Sequence, residues 1–349
     1  MEEQTTPLRN IGLDLIRVTE ATAVVAGRWI GSGDRRGAHE AAMFEMHRVL
    51  NTVDIDGTII QGEEGRLGLG VRSPLGSGQH VGTGEGAPVD VIADPIDGTG
   101  LLVRGRPGAI SLVGVTPRGH MWSPAPAVYM EKLVVDAEAA HALVPECMDA
   151  PAGWTLALVA RVKGKAIRDL TVRVLDRPRH KHLINEIREA GARIILMNQG
   201  DAAGALDAVM PNTNADILWG IGGAPEGVVA ACAVKALNGE MLARLAPQSA
   251  EEEAAIREAG LDKQRIYSAK ELVSGNEVFF AATGITNSAL LHSVQYRGKV
   301  ATTHSILLRS RTHTRRFIHA EFQMEEVAGE VSWEIHTGEG LVEPVEEGA

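Results

Sequence analysis

Three observations predict a mixed α/β (α+β) layered fold for this chain. Strand and helix signals alternate along it, which favours helices packed on mixed sheets. Hydrophobic residues make up 44% and charged residues 23% of 349, enough apolar material for one large core or two smaller ones. Glycine is abundant, with 39 residues against 4% aromatics, so tight turns and close backbone approaches are expected rather than aromatic packing.

From Leu8 to Ile30 the apolar residues Ile11, Leu15, Val18, Val25 and Trp29 recur at helical spacing, and Gly31 and Gly33 stop the helix. A second helix is predicted over Ala38 to Val53, with Met43, Met46, Val49 and Leu50 on its apolar face and methionine acting as core filler. In the run Ile55 to Glu64 a strand of two isoleucines leads into a turn bearing the carboxylates Glu63 and Glu64. The glycine-rich stretch Gly62 to Gly84 reads as a loop with little secondary-structure signal, functional or mobile. Val89 to Ala93 reads as a buried strand, ended by Pro95 because proline donates nothing to a ladder. Further strands are predicted at Ala109 to Val115, Leu133 to Val135, Thr171 to Leu175, Arg193 to Met197, Val278 to Ala282 and Ala301 to Leu308. Val228 to Leu237 reads as a helix with Pro225 at its first turn. Pro247 to Lys270 reads as a solvated acidic helix, and the chain after Gly338 as a frayed acidic tail. The run Asp149-Ala150-Pro151-Ala152-Gly153 marks a boundary. It divides a metal-site region (1–150) from a substrate-binding region (151–338), with the tail at 339–349.

The formal net charge of −11 argues against nucleic acid as a partner, because neutralising phosphates needs a clustered cationic surface. Cys147 and Cys232 are the two cysteines and share no CxxC spacing, which leaves neither a cysteine zinc site nor a disulfide scaffold. The start lacks the basic and apolar regions of a signal peptide. No apolar run approaches the ~18 residues that span a bilayer. A cytoplasmic protein with no membrane partner is expected.

The chemistry concentrates at Asp94-Pro95-Ile96-Asp97-Gly98-Thr99. Two carboxylates stand three residues apart at a strand end, followed by backbone N–H groups and a hydroxyl. Carboxylates facing a phosphate repel it unless cations lie between, so the pattern points to metal-assisted phosphate chemistry. Gly222-Gly223-Ala224-Pro225-Glu226 brings another acid to a helix start. Arg177-Pro178-Arg179-His180 offers two arginines on a stiff spacer, suited to bidentate phosphate binding.

These motifs resemble the bacterial class II fructose-1,6-bisphosphatases, within the lithium-sensitive phosphatase superfamily that includes the inositol monophosphatases. Asp94 to Thr99 matches the superfamily string. Arg17 to Glu20, Asn51 to Gly62, Val81 to Gly84, Tyr129 to Leu133, Arg177 to His180, Asp216 to Val228 and Ala282 to Thr286 match the class II branch, so the resemblance spans roughly residues 8 to 320. It implies a layered αβαβα sandwich and a metal-dependent phosphomonoesterase acting on the 1-phosphate of fructose 1,6-bisphosphate, or also on sedoheptulose 1,7-bisphosphate. It further implies Mn²⁺ or Mg²⁺ as cofactor and a homodimer or homotetramer. Carried over by position, the metal ligands would be Glu63, Asp94, Asp97 and Glu226. The catalytic residues would be Asp94, Asp97, Thr99 and Glu63. The sugar phosphate would meet Asp97, Gly98, Thr99, Tyr129, Arg177, Pro178, Arg179, Gln199, Gly200, Asp201 and Gly223.

The departures from the family lie around the expected metals. His39 takes the place of an aspartate ligand, either as an imidazole ligand better suited to Mn²⁺ or Zn²⁺ than to Mg²⁺, or facing solvent. The family's Gly-Glu-Gly-Glu reads Gly62-Glu63-Glu64-Gly65 here, and Arg66 to His80 contains no acid. Gln199 replaces an aspartate, Arg177 a lysine and Asp97 a glutamate. Altered metal occupancy or substrate choice is therefore expected. Two alternatives stand beside the bisphosphatase: a divergent paralogue taking another phosphorylated sugar or nucleotide, and a non-catalytic sugar-phosphate-binding protein.

Overall fold

The structure, a computed structural model, describes residues 11–62, 73–211 and 213–324. Within them the chain is a mixed α/β protein with two mixed sheets and nine helices. Glu63, Glu64 and Gly65, residues 66–72 of the acid-free loop and the acidic tail lie outside the described residues.

Helices α1 (Ile11–Gly27) and α2 (Arg35–Leu50) open the fold. Asp34 caps α2, its carboxylate accepting the Gly37 N–H at 2.9 Å, which fixes the start of that helix. Strands β1 (Ile55–Ile59), β2 (His80–Val81), β3 (Ala87–Asp97) and β4 (Ile110–Pro117) follow, with the short helix α3 (Thr99–Leu102) between β3 and β4. Strand β5 (Tyr129–Val135), helix α4 (Ala152–Val162), β6 (Thr171–Leu175), α5 (Lys181–Glu189), β7 (Arg193–Met197) and α6 (Asp201–Val209) come next. Then come β8 (Ile217–Gly223), α7 (Ala224–Ala236), β9 (Glu240–Leu245), α8 (Ala250–Glu258), β10 (Tyr267–Ser268) and α9 (Ala269–Leu272). Strands β11 (Phe279–Gly284), β12 (Gln295–Arg297), β13 (Val300–Arg309) and β14 (Thr314–Gln323) complete the described chain.

The first sheet runs β12-β13-β11-β4-β3-β1-β2, with β14 paired to β13. The second runs β10-β9-β5-β8-β6-β7. Parallel pairing is confined to β1–β3 in the first sheet and to β6–β7 and β6–β8 in the second. Both faces of β3 are covered, which is why apolar residues stand at adjacent positions, Val91, Ile92 and Ala93, rather than in alternation. Val89, Val91 and Ala93 pack with Leu15, Met46 and Leu50 of α1 and α2. Ile92 faces the opposite way, into a core that joins Met130 and Val134 of the second sheet with residues of α6, α7 and α9. A third core packs Leu156, Val159, Ile184 and Ile187 of α4 and α5 against Leu133, Val172 and Trp219.

Two expectations are corrected here. Pro95 does not end β3, which continues to Asp97. The register with β4 jumps between Asp94 and Asp97, opposite Leu112 and Ile110. Pro95 thus sits in a β-bulge, where a missing N–H removes no ladder bond and the strand can continue. The segment Pro247 to Lys270 is not one solvated helix: α8 ends at Glu258, and β10 and α9 follow. Glu252 in α8 is buried, because its carboxylate accepts the N–H groups of Val128, Tyr129 and Gln248.

Candidate active site

A cavity of about 730 Å³ opens between the two sheets. It is lined by Asp97, Gly98 and Thr99 from the end of β3 and the start of α3, by Tyr129 from β5, and by Arg177 and Arg179 following β6. Gln199, Gly200, Asp201, Gly223 and Glu226 complete the set that the sequence brings forward. Of the remaining candidates, Pro178, Asp94 and His39 do not line it. Pro178 is exposed between the two arginines, and His39 is half-buried on α2, one turn beyond the cavity-lining Arg35.

The β3 bulge explains how the acids are placed. Asp94 and Asp97 are each 4% exposed. The Asp94 carboxylate accepts the Ile96 N–H at 3.0 Å, which holds the bulge closed. Asp97 reaches across to the second sheet's side, where its carboxylate accepts the Ala203 N–H in the first turn of α6 at 2.8 Å. Gly98 has φ of 92°, a left-handed turn that glycine enters without steric penalty. Thr99 then donates its hydroxyl to the Ile96 carbonyl at 3.2 Å.

Helices α3, α6, α7 and α8 all begin at the cavity wall, at Thr99, Asp201, Ala224 and Ala250. Helix N-termini carry a partial positive charge, but the N–H groups of Gly100, Ala203 and Glu252 are taken by Gln199, Asp97 and Ser249. The wall also bears Asp97, Asp201, Glu226 and Glu252, so an anion here needs cations between it and those acids. Arg179 donates Nε and Nη2 to the Ile221 carbonyl at 3.2 and 2.8 Å, and its guanidinium carbon lies 5.2 Å from the Tyr129 ring centroid. Burial and the neighbouring Arg177 pull the Arg179 pKa down, opposed by Tyr129 and Asp201. Arg177 sits at the rim, donating to the carbonyls of Asp176 and Asn198 at 2.9 and 2.6 Å. Gln199 accepts the Gly100 N–H at 2.7 Å, tying the loop before α6 to the first turn of α3.

Several contributors escape sequence reasoning. Lys132 is 1% exposed beneath the cavity, paired with the Asp201 carboxylate and donating to the Gly223 carbonyl at 2.8 Å. A lone lysine inside the apolar strand Met130 to Val135 is a signal that a counter-ion must come to it. Arg35 and Glu252 also line the cavity, and nothing local in their sequence marks them.

Asp94, Asp97 and Glu226 offer buried carboxylate oxygens, the donor type that a hard divalent cation takes. Among the described residues, no group of three or more His, Cys, Asp or Glu side chains is close enough to hold a metal ion. Glu63, the other expected acid, lies outside those residues. The donor chemistry fits a divalent cation, with Asp97 and Glu226 on the cavity wall itself.

Such a wall suits a phosphorylated small molecule, and the kinship of the chain agrees. Residues 9–322 match the model of the bacterial fructose-1,6-bisphosphatases, glpX-encoded. The chain is 35% identical over 326 residues to fructose-1,6-bisphosphatase 1 class 2 of Escherichia coli (strain K12), covering 89% of this chain and 95% of that protein. The class 2 enzymes of Escherichia coli O6:H1 and Shigella flexneri match at the same identity and coverage. With a match over nearly the whole described length, the chain belongs to the bacterial class 2 fructose-1,6-bisphosphatase family and is a homologue of these phosphoric monoester hydrolases.

Proposed function

We propose that this chain hydrolyses the 1-phosphate of fructose 1,6-bisphosphate, with sedoheptulose 1,7-bisphosphate as a further substrate. The carrying observation is the meeting of Asp97, Glu226, Tyr129 and Arg179 in one cavity, in a chain of this family. Asp94, Asp97 and Glu226, with Glu63, hold divalent cations, Mn²⁺ or Mg²⁺. When bound, the metal offsets phosphoryl charge and lowers the pKa of the attacking water. Thr99 positions the attacking water through its hydroxyl, and the backbone N–H groups of Gly98 and Thr99 bind phosphoryl oxygens. Arg177, Arg179 and Tyr129 bind the distal phosphate and the sugar, and Gln199, Gly200, Asp201 and Gly223 shape the wall around them. The helices packed between and outside the two sheets support an αβαβα sandwich. The described residues contain no helix long and apolar enough to cross a membrane. We place the protein in the cytoplasm as a homodimer or homotetramer, a reading supported by exposed Leu196 and Phe317 on strands β7 and β14.

A specific observation favours altered metal use: His39 stands where the family carries an acid, one helical turn from the cavity-lining Arg35. Phosphate release should be measured over a panel of phosphorylated sugars and nucleotides, after chelation and then with Mg²⁺, Mn²⁺ and Zn²⁺. Fastest turnover of fructose 1,6-bisphosphate is the expected result, and His39→Asp should raise the Mg²⁺-supported rate. Faster turnover of another compound would identify a divergent paralogue. Binding without turnover under every metal would identify a sugar-phosphate-binding protein.

A further inference from the structure

The paired register between β6 and β8 stops early. Val172 and Arg173 pair with Ile217 and Leu218, yet β6 runs on to Leu175 and β8 to Gly223. Beyond Leu218 an imidazole links the strands. His180 Nδ1 lies 2.7 Å from the Leu175 carbonyl oxygen, and Nε2 lies 2.7 Å from the Ile221 amide nitrogen. A carbonyl only accepts and an amide N–H only donates, so Nδ1 carries the proton and Nε2 the lone pair. The ring is neutral in this arrangement, and both nitrogens are committed.

The backbone leaves room for it. Gly220 takes φ of 135°, and a Cβ there would lie 2.9 Å from Nε2. His180 itself is 2% exposed. Its neighbour Arg179 holds the other backbone group of the same residue, donating to the Ile221 carbonyl. Consecutive side chains therefore grip both polar groups of Ile221, and one of them carries its guanidinium on the cavity wall. Open sheets bind ligands in crevices at the carboxyl ends of their strands. Leu175, Gly222 and Gly223, where β6 and β8 end, line this cavity.

We propose that His180 is a positioning residue for phosphate binding: a neutral spacer one imidazole wide that holds the ends of β6 and β8 apart and fixes Arg179 in the cavity. The surroundings keep the ring neutral. Burial disfavours the cation most, with Arg179 and Arg177 also against it, and outweighs the Leu175 carbonyl and the facing Asp201, which favour it, so the pKa is lowered overall. Protonation would set an Nε2–H against the Ile221 N–H and release the link that seats Arg179.

The inference rests on reading the cavity as a phosphate site, and its test separates the two. Inorganic phosphate is the probe, with wild type, His180→Ala and His180→Gln compared for phosphate affinity, for KM and kcat with fructose 1,6-bisphosphate, and for imidazole ¹⁵N shifts. The expected wild-type tautomer at neutral pH is Nδ1–H. His180→Ala should weaken phosphate binding and raise KM about tenfold, the loss of a hydrogen bond to a charged group's support, with kcat nearly unchanged. His180→Gln, whose carbonyl can accept the Ile221 N–H, should recover part of the loss. Phosphate affinity of wild type relative to His180→Gln should fall as acidification protonates the ring, the probe's own titration cancelling in the ratio. Unchanged phosphate affinity in a folded variant, activity loss that merely tracks the folded fraction, or an Nε2–H tautomer overturns the proposal. If His180→Ala does not fold, His180→Gln and the tautomer decide. Wild type that binds phosphate without turning over the sugar overturns the substrate reading alone, because affinity and tautomer still test His180.

Discussion

Asp97 and Ala203 are joined across the two halves of the cavity, the carboxylate accepting the backbone N–H at 2.8 Å. Asp97 ends a strand of the first sheet, while Ala203 lies in the first turn of a helix whose leading residue, Asp201, is paired with Lys132 of the second. This hydrogen bond, with that from the Gly100 N–H to Gln199, ties the two walls together and helps set the acid's direction. Asp97→Asn keeps an oxygen for that N–H and removes the charge. It is expected to lower kcat about a hundredfold or more while moving the melting temperature by only about 3 °C. A variant retaining full kcat would take Asp97 out of the reaction.

Arg179 makes two donations to one carbonyl, a fork that lysine does not possess. Arg179→Lys is therefore expected to raise KM for the bisphosphate about as far as Arg179→Ala does, roughly tenfold. Steady-state kinetics of the two variants check this, and a lysine variant with wild-type KM would show that charge alone suffices.

Lys132 and Asp201 form a buried pair at 1% and 10% side-chain exposure. Lys132→Met leaves Asp201 without that cation and should destabilise the protein by about 3–5 kcal/mol. Adding Asp201→Asn should return part of the loss, and urea unfolding of the single and double variants measures it. Additive losses would mean the pair is not coupled.

Gly222 faces Asp201 so closely that a Cβ would lie 2.1 Å from its Oδ2. Gly222→Ala must displace the carboxylate or the strand, and a misplacement near 1 Å costs about a hundredfold. Activity assays beside a melting curve test this, since the loss should exceed anything unfolding explains.

Burial pushes the Asp207 carboxyl up to about 6, against the pull of Arg173 at 2.7 Å. Desolvation outweighs the ion pair here. A folded pKa above the unfolded 3.8 means that the folded state holds the proton more tightly. The associated stability is full below that unfolded value and is lost as pH rises through about 6. Between about pH 4 and pH 7, wild type should lose up to about 3 kcal/mol relative to Asp207→Asn. Unfolding free energies across that range decide it, and a flat difference would refute the shift.

Local pattern made some of this molecule readable and left other parts hidden. Strands Thr171–Leu175 and Arg193–Met197 were legible to the residue, because β-branched and aliphatic runs there end at turn residues. Ile217–Gly223 was hidden as a strand, since its glycines read as a turn while its ladder comes from β5. Pro95 misled because a bulge needs a partner strand to define it. The cavity residues carried by motif, Asp97 to Thr99 with Arg177 and Arg179, could be read directly. Glu252 could not, for its worth lies in three N–H groups, two of them more than a hundred residues away.

The order of strands in the first sheet bears on how the molecule is made. Strands β1 to β4 come from residues 55–117, but β4 is flanked by β11, which begins at Phe279. The second sheet lies entirely between them in the chain, from Tyr129 to Ser268. During synthesis the second sheet can close first, while β4 waits with an open edge for β11, a long-range pairing that forms slowly. Nascent chains halted before Phe279 should therefore protect the amides of β5, β6, β8 and β9 from exchange while leaving β4 exposed and aggregation-prone. Catalytic competence would arrive only after β11 has been made and locks β4, the strand beside Asp97, into place.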